Sequence, residues 1–306
     1  MLSRIAYYII VLPLSYLPLR ILYLKTDFLF LLLISIVPYR KKVIEGNLKR
    51  SFPEKSDKEI KRLRNKFYRH FTDLLAEGVK NLSISEKQLR RRFQVENMHI
   101  MEKLYEKRKN VILVSGHFNN WEWLVSGQGL LFNHKAYGIG MPLTSTFWDK
   151  KINERRSRFG MHVVHAKNYK EELEKNDDIK AVLVLSDQSP GNSMKSYWTN
   201  FLNQQTAVLF GAELMAHELD YAVVNFITHK VKRGYYKMEL SLITENSKEC
   251  NWGEITESHT RSLERAIIEK PEHWLWSHKR WKREIPENIE SLKKQQEKRF
   301  NEKFSK

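Results

Sequence analysis

The run Val111-Ile112-Leu113-Val114, continuing into Ser115-Gly116-His117-Phe118-Asn119-Asn120-Trp121-Glu122-Trp123, constrains this chain more than any other segment. A short all-apolar run reads as a buried strand, and the residues after it read as a turn leading into a helix. A histidine therefore stands in the turn after a strand, with a carboxylate five positions on. Such a turn suits chemistry, because the strand fixes it while the loop exposes it. With His117 in the turn and Glu122 in the first helical turn, the carboxylate can reach back to one imidazole nitrogen. The other nitrogen is then free to take a proton from a hydroxyl, a catalytic triad without its serine. A structural alternative stands beside this one. Asn119 and Glu122 also have the spacing of a capping box, in which the glutamate serves the backbone and His117 is an ordinary loop residue.

Further along, short strand-like runs alternate with helical patterns. Ser56-x-x-Glu59 after Pro53 predicts a capped start to a long helix whose stripe is Ile60, Leu63, Phe67, Phe71, Leu74 and Leu75. Strands are expected at Val111–Ser115, Lys135–Ile139, Ala181–Leu185, Tyr221–Ile227 and Tyr236–Ile243. Helices are expected from Trp121, around Phe147–Phe159, near Val208–Leu219 and over Glu254–Glu269. This alternation predicts an α/β fold with a mainly parallel central sheet flanked by helices. The Tyr221–Ile243 pair, joined by Lys232-Arg233-Gly234, reads as an antiparallel hairpin that makes the sheet mixed. The tail after Ile285 reads as a solvated helix or frayed end.

Hydrophobic residues at 42% and aromatics at 12% exclude disorder, and a net charge of +17 points to an anionic partner. Nucleic acid, anionic headgroups and an acidic carrier protein all satisfy that charge. One cysteine, Cys250, excludes an internal disulfide and a cysteine-based metal cluster. The first forty residues differ from the rest. Ile5 to Leu19 and Phe28 to Val37 are apolar, each shorter than the roughly 20 residues of a spanning helix, and Pro13 and Pro18 interrupt the first. Arg40, Lys41, Lys42, Lys49 and Arg50 come next, as suits a cytoplasmic membrane face. The expectation is a monotopic or re-entrant anchor over 1–40 and one catalytic domain over 41–306. The alternative is an apolar helical hairpin packed on the protein's own core.

Ligands gather at the carboxyl ends of strands in open α/β sheets. Asp187-Gln188 ends the run Val182–Leu185, so it can face a crevice in common with His117, or it can cap the turn into Ser189-Pro190-Gly191. Arg155, Arg156 and Arg158 suit either a phosphate grip or a solvated helix face. The stretch from Pro271 to Lys282 sets three tryptophans among basic residues, a pattern for base stacking, a membrane interface or core packing. No glycine-rich phosphate loop, dinucleotide fingerprint or nucleophile elbow occurs. His162 and His165 lack supporting ligands, so no metal site and no cofactor are expected.

Taken in order, these segments resemble the late acyltransferases of bacterial lipid A biosynthesis, a branch of the lysophospholipid acyltransferase superfamily. The resemblance runs from the apolar N-terminus to Lys282. His117 and Glu122 match the family's central motif of histidine, four residues and an acid, with Gly116 and Trp121 in the local pattern. Arg156 with Gly160, then Asp187-Gln188 with Asn200-Phe201-Leu202, then Gln205-Thr206-Ala207 with Gly211, match three further stretches. Trp274 to Lys282 resembles the C-terminal signature. One segment departs: Gly138-Ile139-Gly140-Met141-Pro142-Leu143 carries methionine where many relatives carry a base, which bears on the identity of the acceptor.

The resemblance implies transfer of a fatty acyl chain from acyl carrier protein, or another acyl thioester, to a hydroxyl of an anionic membrane lipid at the cytoplasmic face of a bacterial inner membrane. It implies His117 as general base and Glu122 as the group that orients the ring. Asn119, Arg156 or turn amides are candidates for holding the oxyanion. Asp187, Gln188, Thr206 and Arg280 are further candidates for binding substrate. Two other readings are a basic nucleic-acid-binding protein, which leaves the apolar N-terminus unexplained, and a non-catalytic membrane scaffold, which would tolerate loss of His117.

Overall fold

The computed structural model describes residues 2–304. Its strands are β1 (Phe93–Glu96), β2 (Val111–Ser115), β3 (Lys135–Gly140), β4 (His162–His165), β5 (Lys180–Leu185), β6 (Tyr197–Phe201), β7 (Gln204–Val208), β8 (Ala222–Lys232) and β9 (Tyr235–Thr244). Seven of them form one sheet in the order β1-β9-β8-β2-β5-β3-β4, and β6 pairs with β7 alone. Neighbours in the large sheet are parallel except for β8 and β9, the expected antiparallel hairpin. The sheet is therefore mixed and mainly parallel, with helices on both faces.

The apolar run at β2 sits in the middle of that sheet because both of its faces are covered. Val111 and Leu113 join one buried cluster, and Ile112 and Val114 join another on the opposite face. Side chains alternate across a strand, so a strand buried on both faces needs apolar residues at every position. The short edge strands β1 and β4 and the β6–β7 hairpin carry no such run and were not expected from the sequence. Leu202 and Asn203 take positive φ of 50° and 63° at the β6–β7 turn, as a two-residue hairpin requires.

The 24-residue helix Asp57–Lys80 opens on the expected capping box, with Ser56 and Glu59 bonded reciprocally. Its buried face is less apolar than its stripe suggested. Leu75 is 40% exposed, whereas Asp73 and Glu77 are buried. Glu77 accepts hydrogen bonds from Tyr23 Oη (2.6 Å), Tyr236 Oη (2.7 Å) and Asn120 Nδ2 (2.5 Å). One buried carboxylate thus joins the N-terminal helix, the sheet and the segment after β2.

The N-terminal segment is helical over Leu2–Tyr16 and, after a break at Leu17-Pro18, over Leu19–Ser35. Ala6–Val11 winds as a π-helix. Pro13 lies just beyond, and its ring and missing N–H disrupt α-helical bonding to the preceding turn. No described helix is long and apolar enough to cross a membrane. The inner face of this segment, Leu19, Leu22 and Tyr23, is buried in the same apolar cluster as the sheet. Its outer face exposes Tyr8, Ile9, Ile10, Tyr16, Leu24, Phe28 and Leu31. The C-terminal helix Ile289–Phe304 is mostly solvated, but Phe300 is buried against Phe210 and His217.

Candidate functional site

Register places the first two groups. Ser115 of β2 lies opposite Leu185 of β5, and the Ser186 amide continues the ladder to the Ser115 carbonyl at 2.8 Å. Two residues beyond each strand stand His117 and Asp187. Asp187 Oδ1 is 2.6 Å from His117 Nδ1, and Asp187 Oδ2 accepts the His117 amide (2.8 Å) and Trp274 Nε1–H (2.8 Å). With Nδ1–H donating to the carboxylate, Nε2 keeps its lone pair. The Gln188 amide lies 3.3 Å from that Nε2, and Trp121 packs edge-on against the ring at 4.9 Å.

Gly116 makes the pairing possible. A Cβ there would fall 2.8 Å from Asp187 Cγ and 2.6 Å from Leu263 Cδ2, so only glycine lets the carboxylate close over the turn. Burial pushes the Asp187 carboxyl up. The His117 imidazole and the donated hydrogen bonds outweigh it and hold the group at about 2.

The Glu122 carboxylate does not contact the imidazole, contrary to expectation. Asn120 is the N-cap of the Trp121–Leu131 helix, accepting from the Trp123 amide at 3.0 Å. Glu122 is therefore at the second helical position and its carboxylate turns away to a pair of arginines. Arg155 binds one oxygen and Arg156 Nη2 the other, at 2.6 Å. Those arginines occupy the last turn of the Thr146–Arg156 helix. An acid at one helix N-terminus thus meets bases at another's C-terminus, the arrangement that both helix dipoles favour. Burial raises the Glu122 carboxyl, but Arg155 and Arg156, with His117 adding to them, bring it down to about 2. The reason for the switch of partner is geometric: Nδ1 is already closed off by Asp187.

The alternative reading, an Asn119 capping box, is not formed either. Asn119 takes a positive φ of 53°, and its Nδ2 donates to the Thr228 carbonyl at 2.5 Å. The residue is fully buried and its amide donates to β8. The turn amides are engaged too: His117 with Asp187, Phe118 with the Gly116 carbonyl and Asn119 with the His273 carbonyl.

Two further candidates make contacts within the protein. Thr206, on β7, accepts from Trp281 Nε1 at 2.8 Å and donates to the Gln204 carbonyl. Arg280 is buried behind Asp187, lining a small interior chamber with Ser115, Ser186, His259, Thr260 and Leu263. Burial lowers its guanidinium to about 10 against the pull of Asp187. The tryptophans of the C-terminal signature resolve as core. Trp274 and Trp276 are buried edge-to-face at 4.8 Å, and Phe118 bridges to Trp274, so this segment buttresses the His117 turn. Of the rejected metal pair, His162 stacks on Tyr137 at 5.1 Å.

The structure thus unites His117, Asp187 and Gln188 and leaves Glu122 and Arg156 as a neighbouring ion pair. The pairing of His117 with Asp187 was visible in the sequence only as two polar groups ending two buried strands. The Trp274 donor carried no signal of its own. Such a pair can take a proton from a hydroxyl at Nε2 while the buried carboxylate stabilises the imidazolium. No curated protein matches the chain significantly. The family model described as bacterial lipid A biosynthesis acyltransferase matches residues 2–283, and the chain belongs to that family of acyltransferases.

Proposed function

We propose that the protein moves a fatty acyl chain from acyl carrier protein, or another acyl thioester, to a hydroxyl of a membrane glycolipid of the lipid A type. His117 acts as general base at Nε2. The observation that carries this reading is the 2.6 Å contact between His117 Nδ1 and the buried Asp187 carboxylate. It fixes the tautomer in which Nε2 can accept the hydroxyl proton. The alkoxide oxygen attacks the thioester carbon, and when the tetrahedral intermediate collapses the imidazolium returns the proton to the departing thiolate. Asp187, acting through the ring, takes the positioning role that the motif suggested for Glu122.

With Asn119 and the amides of 117–119 engaged, the candidate side-chain donors for the oxyanion are Gln188, whose amide lies against His117 Nε2, and Arg156, whose guanidinium is shared with Glu122. Glu122 keeps the Arg155–Arg156 pair in place and adds a negative charge near the imidazolium. Exposed Met141 and Leu143 follow β3, where many relatives carry a base, and support an acceptor with a less anionic contact there. The apolar outer face of the 1–40 segment and the basic residues after it support attachment to the cytoplasmic face of the inner membrane.

Incubating the purified protein with acyl carrier protein thioester and extracted membrane lipid should yield a lipid heavier by one acyl chain. The His117→Ala variant should yield none. Transfer at the wild-type rate by a folded His117→Ala variant would overturn the assignment. An unaltered lipid profile in a deletion strain would overturn the choice of acceptor.

A further inference from the structure

A groove of about 460 Å³ opens where the start of the Leu19–Ser35 helix meets Arg92 and the tip of the β8–β9 hairpin. Gly234 creates it. With φ of +73°, this residue tucks so closely under the helix that a Cβ would fall 2.5 Å from Tyr23 Oη and 3.1 Å from Leu19 Cδ2. The hairpin tip is therefore clamped against the N-terminal helix, and four cations, Arg20, Arg92, Lys232 and Arg233, line the space between.

Their partners are unequal. Arg233 binds Asp27 and Asp73. Asp27, the one carboxylate lining the groove, is also held by Arg69. Among the described residues, Arg92 donates only to the neutral Gly234 carbonyl, at 3.0 Å. Its guanidinium lies 4.7 Å from the Tyr235 ring centre, and Lys232 Nζ lies 4.6 Å from the same centre. Two like charges thus converge on one aromatic ring, with exposed Arg20 beside them, while the nearby acids Asp27 and Asp73 are already bound by other cations. Such a cluster is complementary to an anion of phosphate size.

The surroundings select the anion's source. Leu24, which lines the groove, is 69% exposed, and Ile21 and Val231, next in sequence to Arg20 and Lys232, are 40% and 57% exposed. A soluble phosphate gives those side chains nothing to bury against, whereas the headgroup region of a bilayer supplies phosphate beside acyl chains. The groove also lies at the His117 end of the sheet. Asn119 bonds the Thr228 carbonyl of β8, and Lys232 is four residues further along the strand, about 13 Å at ~3.3 Å per residue.

We propose that this groove binds the phosphate of an anionic bilayer phospholipid, holding the carboxyl end of the sheet against the membrane. Ile21, Leu24 and Val231 then enter the interface while Arg20, Arg92 and Lys232 engage the headgroup. The site is separate from the acyl-transfer centre, and its test uses no acyl transfer, so it stands or falls apart from the catalytic reading.

The test is co-sedimentation of the full chain with phosphatidylcholine vesicles, with and without phosphatidylglycerol. The variant is Arg20→Glu with Lys232→Glu, both exposed, with its fold checked by circular dichroism. Lys294→Glu with Arg299→Glu, on the C-terminal helix, changes the net charge equally. The groove variant should lose about tenfold or more of its affinity for the anionic vesicles, and the control about twofold or less. Equal losses would mean that bulk charge alone acts, and no loss from the groove variant would mean that the groove is idle. Displacement from vesicles by inorganic phosphate at matched ionic strength would assign the groove to a soluble anion. Any of these three results overturns the proposal.

Discussion

The Asp187 carboxylate holds the His117 ring from 70 residues away in sequence, at 2.6 Å, while Glu122, five residues from that histidine, is bound instead to Arg155 and Arg156. The two acids have different environments and different work. Asp187 is buried and accepts three hydrogen bonds, two from His117 and one from Trp274, so both of its oxygens are tied. Glu122 is partly exposed, and its partners are Arg155 and Arg156 rather than the imidazole.

Substituting each acid by its amide separates these roles. Asp187→Asn should lower kcat/KM by about 10²–10⁴, because an amide oxygen cannot stabilise the imidazolium and an amide N–H selects the wrong tautomer. Glu122→Gln should cost less activity and more structure. It leaves two guanidiniums facing each other, at about 1–3 kcal/mol for so partly exposed a pair. Steady-state kinetics and urea unfolding of both variants decide the matter. A larger activity loss from Glu122→Gln would return the positioning role to Glu122.

What the sequence made legible depended on how local the cause was. β2 and β5 were readable because a strand covered on both faces needs an unbroken apolar run, and the Ser56–Glu59 box because capping acts over three residues. The choice of Asp187 over Glu122 was not readable. It comes from the Ser115–Leu185 register, a pairing of strands far apart in the chain. The N-cap moved from Asn119 to Asn120 because Asn119 adopts a left-handed conformation to reach β8, a tertiary demand with no local signature. The Pro271–Lys282 tryptophans had three readings because composition does not say which face of an indole is covered.

Both acids also predict a pH dependence of stability. The folded protein holds the Asp187 carboxyl at about 2, below its ordinary 3.8. Its contribution is complete above pH ~4 and is lost as the pH falls toward 2. The size is about 2 kcal/mol. The stability gap between wild type and Asp187→Asn should be widest near neutrality and should narrow steadily on acidification. Urea midpoints measured across that range check it, and a gap independent of pH would show that the carboxylate charge is not what stabilises.

Gly116→Ala should damage the site without touching any polar group. The new methyl group would collide with Leu263 and with Asp187 itself. Leu263 can yield by rotamer change, but Asp187 is fixed by three hydrogen bonds. Overpacking of this kind costs about 1–3 kcal/mol. Activity should fall by more than tenfold, since displacement near 1 Å at a reacting group can cost about 10². Leu263→Ala added to Gly116→Ala should recover stability but not activity. Recovery of activity would mean that the clash with Leu263 alone mattered.

Glu77 makes the most far-reaching of these connections. Its fully buried carboxyl, pushed up by burial, binds Tyr23 of the N-terminal helix, Tyr236 of β9 and Asn120, the residue that caps the helix after His117. Glu77→Ala would orphan three donors in the interior and should cost about 3–5 kcal/mol. Asn120→Ala should cost about 0.5–2 kcal/mol through the lost cap. Because the Asn120 amide reaches Glu77 while its oxygen caps the helix, the two losses overlap. A double-mutant cycle between Glu77→Gln and Asn120→Ala should therefore show a coupling above ~0.5 kcal/mol. If the two changes add independently, the N-terminal helix and the His117 turn are not linked through this carboxyl, and each is held by its apolar packing alone.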